Sequence, residues 1–179
     1  MQIVKPLAPS RPVKFFDLPR VLLDSLKIKW AMLFPFPGRF PFAASISHCQ
    51  TTHDDPLRFF VLDREGGVHK NGSRLKKAQK ISHYFGFPWA RTIINPKIVW
   101  HGNKVLSMDE GCMSIDEKKR KIRRWEIVEA EYWTFFGKRK RKFWLFRAAL
   151  LQHELDHHDG NDMTEVYRHR EIESSYERP

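Results

Sequence analysis

Gln152-His153-Glu154-Leu155-Asp156-His157 places two imidazoles four residues apart with a carboxylate between them. In a helix, positions i and i+4 lie one above the other on the same face. His153 and His157 can then grip one metal ion, with Glu154 beside it to take a proton from water. The approach, Phe143-Trp144-Leu145-Phe146-Arg147-Ala148-Ala149-Leu150-Leu151, is mostly apolar and ends in good helix formers. It reads as a buried helix carrying the motif in its last turns, with Asp159-Gly160-Asn161 as the stop signal. A single histidine on a core helix is ordinarily hydrogen-bonded to backbone. Two at this spacing, with Glu inside the pair, point to a metal site.

Two histidines leave the coordination incomplete, because a catalytic site of this kind takes three protein ligands and keeps a fourth position open. The sixth residue after His157 is Met163, so the longer protease pattern with a third histidine fails. Glu165, Glu171 and Glu173 are candidates for a distant third ligand. A better one lies upstream, in Asp109-Glu110-Gly111-Cys112-Met113-Ser114-Ile115. A lone cysteine is more often a small buried hydrophobe than a ligand. Cys112 gains weight from the Glu-Gly turn before it and the second segment after it.

Glu110-Gly111-Cys112-Met113-Ser114, followed about forty residues later by Gln152-His153-Glu154-Leu155-Asp156-His157, resembles the second and third motifs of the peptide deformylases. Ile94-Asn95-Pro96 as a strand entry, and Arg124 with Val128 in the strand after the Cys motif, resemble the same family. Its first motif, Gly-x-Gly-hydrophobic-Ala-Ala-x-Gln, is poorly kept. The best register is Ala43-Ala44-Ser45-Ile46-Ser47-His48-Cys49-Gln50, in which both glycines become small residues and only Ile46 and Gln50 match in kind. A competing register places Phe42-Ala43-Ala44 on the hydrophobic-Ala-Ala stretch and leaves Ile46 where the glutamine belongs. The first is preferred because it keeps Gln50 and sets small residues where backbone approaches substrate. The resemblance spans roughly residues 40 to 165, and the short chain with its altered first motif suits a phage-borne copy.

The resemblance implies an α+β fold, with mixed or antiparallel strands packed around a central helix that carries the metal motif. The implied activity is removal of the formyl group from the N-terminal formyl-methionine of nascent peptides. Cys112, His153 and His157 are then the metal ligands. The ion is Fe2+ by family habit, with Zn2+, Ni2+ and Co2+ also compatible with thiolate and imidazole. Glu154 takes a proton from the attacking water and passes it to the departing amine. The side-chain amide of Gln50 and the backbone N–H of Met113 donate to the oxyanion. Ala43, Ser45 and Ile46 line the substrate, and Phe146, Ala149 and Leu150 wall a pocket for the methionine side chain. Glu110 is expected to hold a basic residue such as Arg124 and steady the Cys loop. His48 and Cys49 fall in the altered motif; the ordinary account of His48 is a surface or core histidine, and the alternative is that the two add a polar group and an oxidisable thiol near the site.

The 179 residues suffice for one well-buried domain, and 41% hydrophobic content with 14 Phe and 6 Trp supports a core. No apolar run reaches the length that spans a bilayer. Met1-Gln2-Ile3-Val4-Lys5-Pro6 lacks the apolar stretch and cleavage site of a secretory signal, and two cysteines make no disulfide framework. These features predict a soluble, cytoplasmic, single-domain protein without a membrane partner. The net charge of +11 concentrates in Arg74–Lys80, Lys118–Arg124 and Lys138–Lys142. Charge runs at hairpin ends are ordinarily solvated loops. Here they also suit attraction to a polyanion, and the ribosome surface with its RNA is the expected partner of an enzyme acting on nascent chains. Two other readings compete: a zinc endopeptidase sharing the two-histidine core, and a catalytically impaired homologue that binds the ribosome or RNA.

Along the chain, apolar residues at helical spacing predict a helix from Asp17 or Pro19 to about Met32. Arg58 to Asp63 and Thr92 to Trp100 read as strands, and Val105 to Met108 as a short extension of the second. Residues 64 to 90 look like an insertion without an assignable role. Trp125 to Phe136 is a strand expected to pair, across Gly137, with Lys142 onward.

Overall fold

The computed structural model describes residues 7–33, 45–62, 92–112, 114 and 120–163. Two helices cover opposite faces of one antiparallel sheet, and the apolar pattern of each element explains why. Helix α1 spans Leu18–Leu33. It buries Val21, Ser25, Ile28 and Met32, a run at three- and four-residue spacing, and leaves Leu23, Leu26 and Trp30 exposed. Strand β1 is Ser45–Ser47, β2 is Phe59–Leu62 and β3 is Thr92–His101. Alternate residues of β2 serve different partners. Phe59 and Val61 join Ile46, Ile94 and the α1 residues in one cluster. Phe60 and Ile93 join Val128, Ala130, Tyr132, Ala148, Leu151 and Leu155 in another, on the face covered by the second helix. Both sides of β2 are therefore core, and it reads as a continuous apolar run.

Strand β6, Ile127–Thr134, pairs with β3, and β7, Gly137–Trp144, pairs with β6, giving the order β1-β2-β3-β6-β7. Strands β4, Val105–Glu110, and β5, Arg120–Trp125, form a separate two-stranded sheet. Helix α2 spans Phe146–His158 and carries the two-histidine motif, so the α+β expectation holds. Gly137 closes the β6–β7 turn at φ 108°, a conformation open to a residue without a Cβ. No helix among the described residues is long and apolar enough to cross a membrane.

Several local expectations need correction. Val105 to Met108 is not an extension of β3. The chain turns at Gly102, and β4 pairs instead with β5, from Val105 opposite Trp125 to Glu110 opposite Arg120. Among the described residues, two of the basic runs lie in strands. Arg120 to Arg124 lies within β5, which turns Ile122 and Arg124 inward and Lys121 and Arg123 outward. Lys138 to Lys142 is the body of β7, and Lys138 and Lys140 pair with Glu131 and Glu129 of β6. The helix begins at Phe146, because Phe143 and Trp144 belong to β7 and Leu145, at φ 50°, breaks the strand from the helix. The stretch read as an insertion, and the basic run beginning at Arg74, lie outside the described residues.

The N-terminal segment is pinned across the sheet. Asn95, at φ 48°, accepts from the Val13 N–H and donates to the Val13 carbonyl, both at 2.8 Å. Arg11 forks between Asp17 and Asp55.

Candidate metal centre

Helix α2 presents His153 and His157 one turn apart, and the turn after β4 brings Cys112 to them. Their ligand atoms all lie within 4.8 Å of one another, the arrangement of a group able to hold a metal ion. Cys112 Sγ is 3.2 Å from His157 Nε2. Metal bonds of about 2.3 Å to sulfur and about 2.0 Å to nitrogen, in a tetrahedron, set S and N roughly 3.5 Å apart. The spacing fits one small cation.

The outer ring nitrogens are already engaged. His153 Nδ1 bonds Glu110 Oε2 at 2.9 Å, and His157 Nδ1 bonds the Asn161 carbonyl at 3.0 Å. Each ring is left with Nε2 for an ion, which is how metal-binding histidines are ordinarily oriented. Glu110 is in turn held by Arg124, whose Nη1 reaches Asp156 on α2. The Glu110–Arg124 pairing expected from sequence is present, and Asp156 joins it.

The electrostatics follow from this packing. Burial pushes the Cys112 thiol up, but hydrogen bonds from His153 and His157 outweigh it and bring it down to about 5. Burial pulls His153 down, yet Cys112 and Glu110 raise it to about 10. Burial likewise opposes ionisation of Glu110, and Arg124 with His153 brings it to about 2. The same contacts favour the thiolate form of Cys112, the form that binds a metal. The imidazoles ligate only when neutral, so an ion would displace the proton that Cys112 and Glu110 hold on His153.

Gln50 arrives from the short 3-10 turn after β1. Its Oε1 accepts from the Ser47 N–H at 2.9 Å, and its Nε2 donates to Ser114 Oγ at 2.8 Å and lies 3.9 Å from Cys112 Sγ. The register that keeps Gln50 therefore sets its amide beside the thiol. The Glu154 carboxylate receives hydrogen bonds from Ser45 Oγ and Ser47 Oγ. Sequence reasoning missed both partners, reading Ser45 as a residue that lines the substrate and giving Ser47 no role, although residues two apart on a strand share a face. The Ile46 side chain, expected to line the substrate, is fully buried in the α1 cluster, so only its backbone is available there. Ala149 is buried, Leu150 partly so, and Phe146 is half exposed at the helix start. Ala43, Met113, Glu165, Glu171 and Glu173 lie outside the described residues.

His48 is the core histidine of the ordinary account, and Cys49 is not the oxidisable thiol of the alternative. His48 Nδ1 accepts from the Leu57 N–H at 2.9 Å and Nε2 lies 3.3 Å from Asp24, which directs the ring towards α1. Cys49 donates to the His157 carbonyl at 3.2 Å, and burial pushes its thiol up to about 12. A buried thiol held protonated is not a reactive one. The expected oxidisable group is a structural donor behind the metal helix.

A sequence model of the polypeptide deformylase family matches residues 54–173, which are 120 of the 179. The match begins beyond Gln50, so the altered first motif lies outside it. Among curated proteins, peptide deformylase 2 of a Nostoc strain is 38% identical over 69 residues, 38% of each chain. The peptide deformylase of Brachyspira hyodysenteriae is 32% identical over 84 residues, 45% of each. The chain thus spans less than half the length of these curated relatives. Among solved structures, a probable peptide deformylase from Synechococcus phage S-SSM7 superposes with a TM-score of 0.60 at 18% identity, covering 89% of this chain and 90% of that one. The Met-Ala-Ser-bound class I type b peptide deformylase from Acinetobacter baumannii gives 0.63 at 20% identity, covering 93% and 99%. These likenesses give the fold, and the family match covers two-thirds of the sequence: the chain belongs to the peptide deformylase family.

Proposed function

We propose that this chain is a single catalytic domain that removes the formyl group from the N-terminal formyl-methionine of peptides. The observation that carries the reading is the convergence of one thiolate and two imidazole donors, Cys112, His153 and His157, with the Gln50 amide beside Cys112 and the buried Glu154 next to His153 in the helix. Family membership agrees, and it does not favour the endopeptidase or the impaired-homologue reading.

Cys112, His153 and His157 would hold one divalent ion, iron(II) by preference and zinc, nickel or cobalt as substitutes. Once bound, that ion supplies Lewis acidity to the formyl carbonyl and to water. Glu154 takes the proton of the attacking water and returns it to the departing amine, so one carboxylate serves both halves of the reaction. The Gln50 Nε2–H donates to the oxygen that gains charge. Its carbonyl end, tied to the Ser47 N–H, stops the amide from turning away. The Met113 N–H is the second donor of this reading. Ala43, Ser45 and Ile46 offer backbone to the peptide, and Phe146, Ala149 and Leu150 wall the methionine pocket.

The test is formate release from formyl-Met-Ala-Ser by protein loaded with iron under anaerobic conditions. Release that persists unchanged in Glu154→Gln, or casein cleavage without formate, ends the reading. The ribosome surface remains the proposed docking partner. The outer face of β6–β7 carries Lys138, Lys140 and Lys142 beside half-exposed Trp133 and Trp144, with Lys142 5.1 Å from the Trp100 ring centroid. Co-sedimentation with ribosomes that falls steeply with salt, and is lost when these three lysines become Glu, supports that docking.

A further inference from the structure

Strand β1 is three residues long, and its alternation decides what each side chain meets. Ile46 pairs with Val61 and turns towards α1. Ser45 and Ser47 pair with Leu62 and Phe60 and turn the other way, towards α2. Glu154 meets them there. Ser45 Oγ bonds one carboxylate oxygen, Oε1, and Ser47 Oγ bonds the other, Oε2. All three residues are buried, with Ser47 fully enclosed, Glu154 2% exposed and Ser45 8%.

We propose that Ser45 and Ser47 are positioning residues that fix the plane of the Glu154 carboxylate for proton transfer. The terminal torsion of a glutamate is broad and roughly two-fold, so a side chain held only by its stem leaves the oxygens free to turn. One hydroxyl on each oxygen removes that freedom. A carboxylate oxygen accepts more than one hydrogen bond, so each Glu154 oxygen retains acceptor capacity beyond its serine. The first motif of the family has glycine and alanine at these two positions, neither of which has a side-chain donor to offer. In this chain the orientation of the base is built into the strand, and the altered motif is a substitute device rather than decay.

The inference rests on Glu154 being the base of the proposed reaction, so its test has an arm independent of activity. Formate release is measured for the parent, Ser45→Ala, Ser47→Ala, the double variant and Ser45→Thr, with bound metal quantified in each. The expected result is a kcat lower by about tenfold in each alanine variant, with KM within about twofold and metal content unchanged. Ser45→Thr, which keeps the hydroxyl, stays within about threefold of the parent. A double variant that folds, binds metal and retains the parental kcat overturns the proposal, as does a loss that merely tracks metal content.

The second arm is a double-mutant cycle in urea unfolding of metal-free protein, with the same serine variants made in Glu154→Met. The clamp predicts a lowered midpoint beside Glu154 and almost no shift beside Met. Equal shifts in the two backgrounds overturn it. If the parent releases no formate, the deformylase reading fails by itself and the unfolding cycle still decides whether the clamp exists. Ser45→Ala alone serves both arms should the double variant not fold.

Discussion

Arg124 grips Glu110 with two arms of its guanidinium, Nε at 2.7 Å and Nη2 at 2.8 Å, and only 1% of its side chain is exposed. The pair lies between the second sheet and α2, because Glu110 also holds His153 and Arg124 also holds Asp156. Replacing Arg124 by Leu leaves two carboxylates in a buried place without their cation. We expect a loss of about 3–5 kcal/mol in unfolding free energy, read by urea titration. Lys at this position keeps the charge but loses the fork, and should fall between the two. Because Glu110 orients His153, metal affinity should also fall by about 10–100-fold, measured by competition with a chelator.

Gln50→Glu separates the two ends of the amide. The substitution keeps an acceptor for the Ser47 N–H and removes the donor that points at Cys112 and Ser114. We expect kcat to fall by about 10²–10³ while far-UV circular dichroism stays unchanged. A variant with normal kcat would show that the donor belongs elsewhere.

His48 makes stability depend on pH. Burial pulls its pKa from 6.5 to about 4, against the opposing pull of Asp24, and its Nδ1 must be unprotonated to accept from Leu57. The folded protein thus prefers the neutral ring. The stabilisation is complete above pH 6.5 and is lost as pH falls towards 4. The loss is about 3 kcal/mol from this residue. Buried His158, also held well below its ordinary value, adds in the same direction. Urea midpoints at pH 7 and pH 4.5, compared between the parent and His48→Gln, isolate the His48 share. The variant should lose less on acidification.

Gly160 ends α2 at φ 84°, and a Cβ there would meet Pro9 Cγ at 3.0 Å. Gly160→Ala is therefore strained twice, by backbone and by contact. We expect about 1–2 kcal/mol of destabilisation, read as a lowered urea midpoint. The same change at Gly137 meets no atom within 4 Å and carries the backbone cost alone.

The metal helix was legible because its message is one of spacing, and two histidines at i and i+4 mean little on any other element. α1 and β2 were legible for the same reason, since each has one period and a clear partner. The basic strands were not. β5 reads as a charge run because Arg124, buried as deeply as Ile122, has its solvation replaced by Glu110 and Asp156, partners distant in sequence. β7 has hardly an apolar residue before Phe143, and its partner is the whole length of β6, whose Glu129 and Glu131 stand opposite its lysines. Ser45 reads as a small residue beside substrate, and Ser47 gains no role from the sequence. Three residues are too few for an alternation to be recognised without the strand pairing that defines it.

β1 carries grease on one side and hydroxyls on the other, so sliding it by a single position would press Ile46 against a carboxylate and sink the serines into oil. An insertion or deletion between Ser45 and Gln50 should therefore be more damaging than any single substitution there, because it displaces Ile46, both serines and Gln50 together.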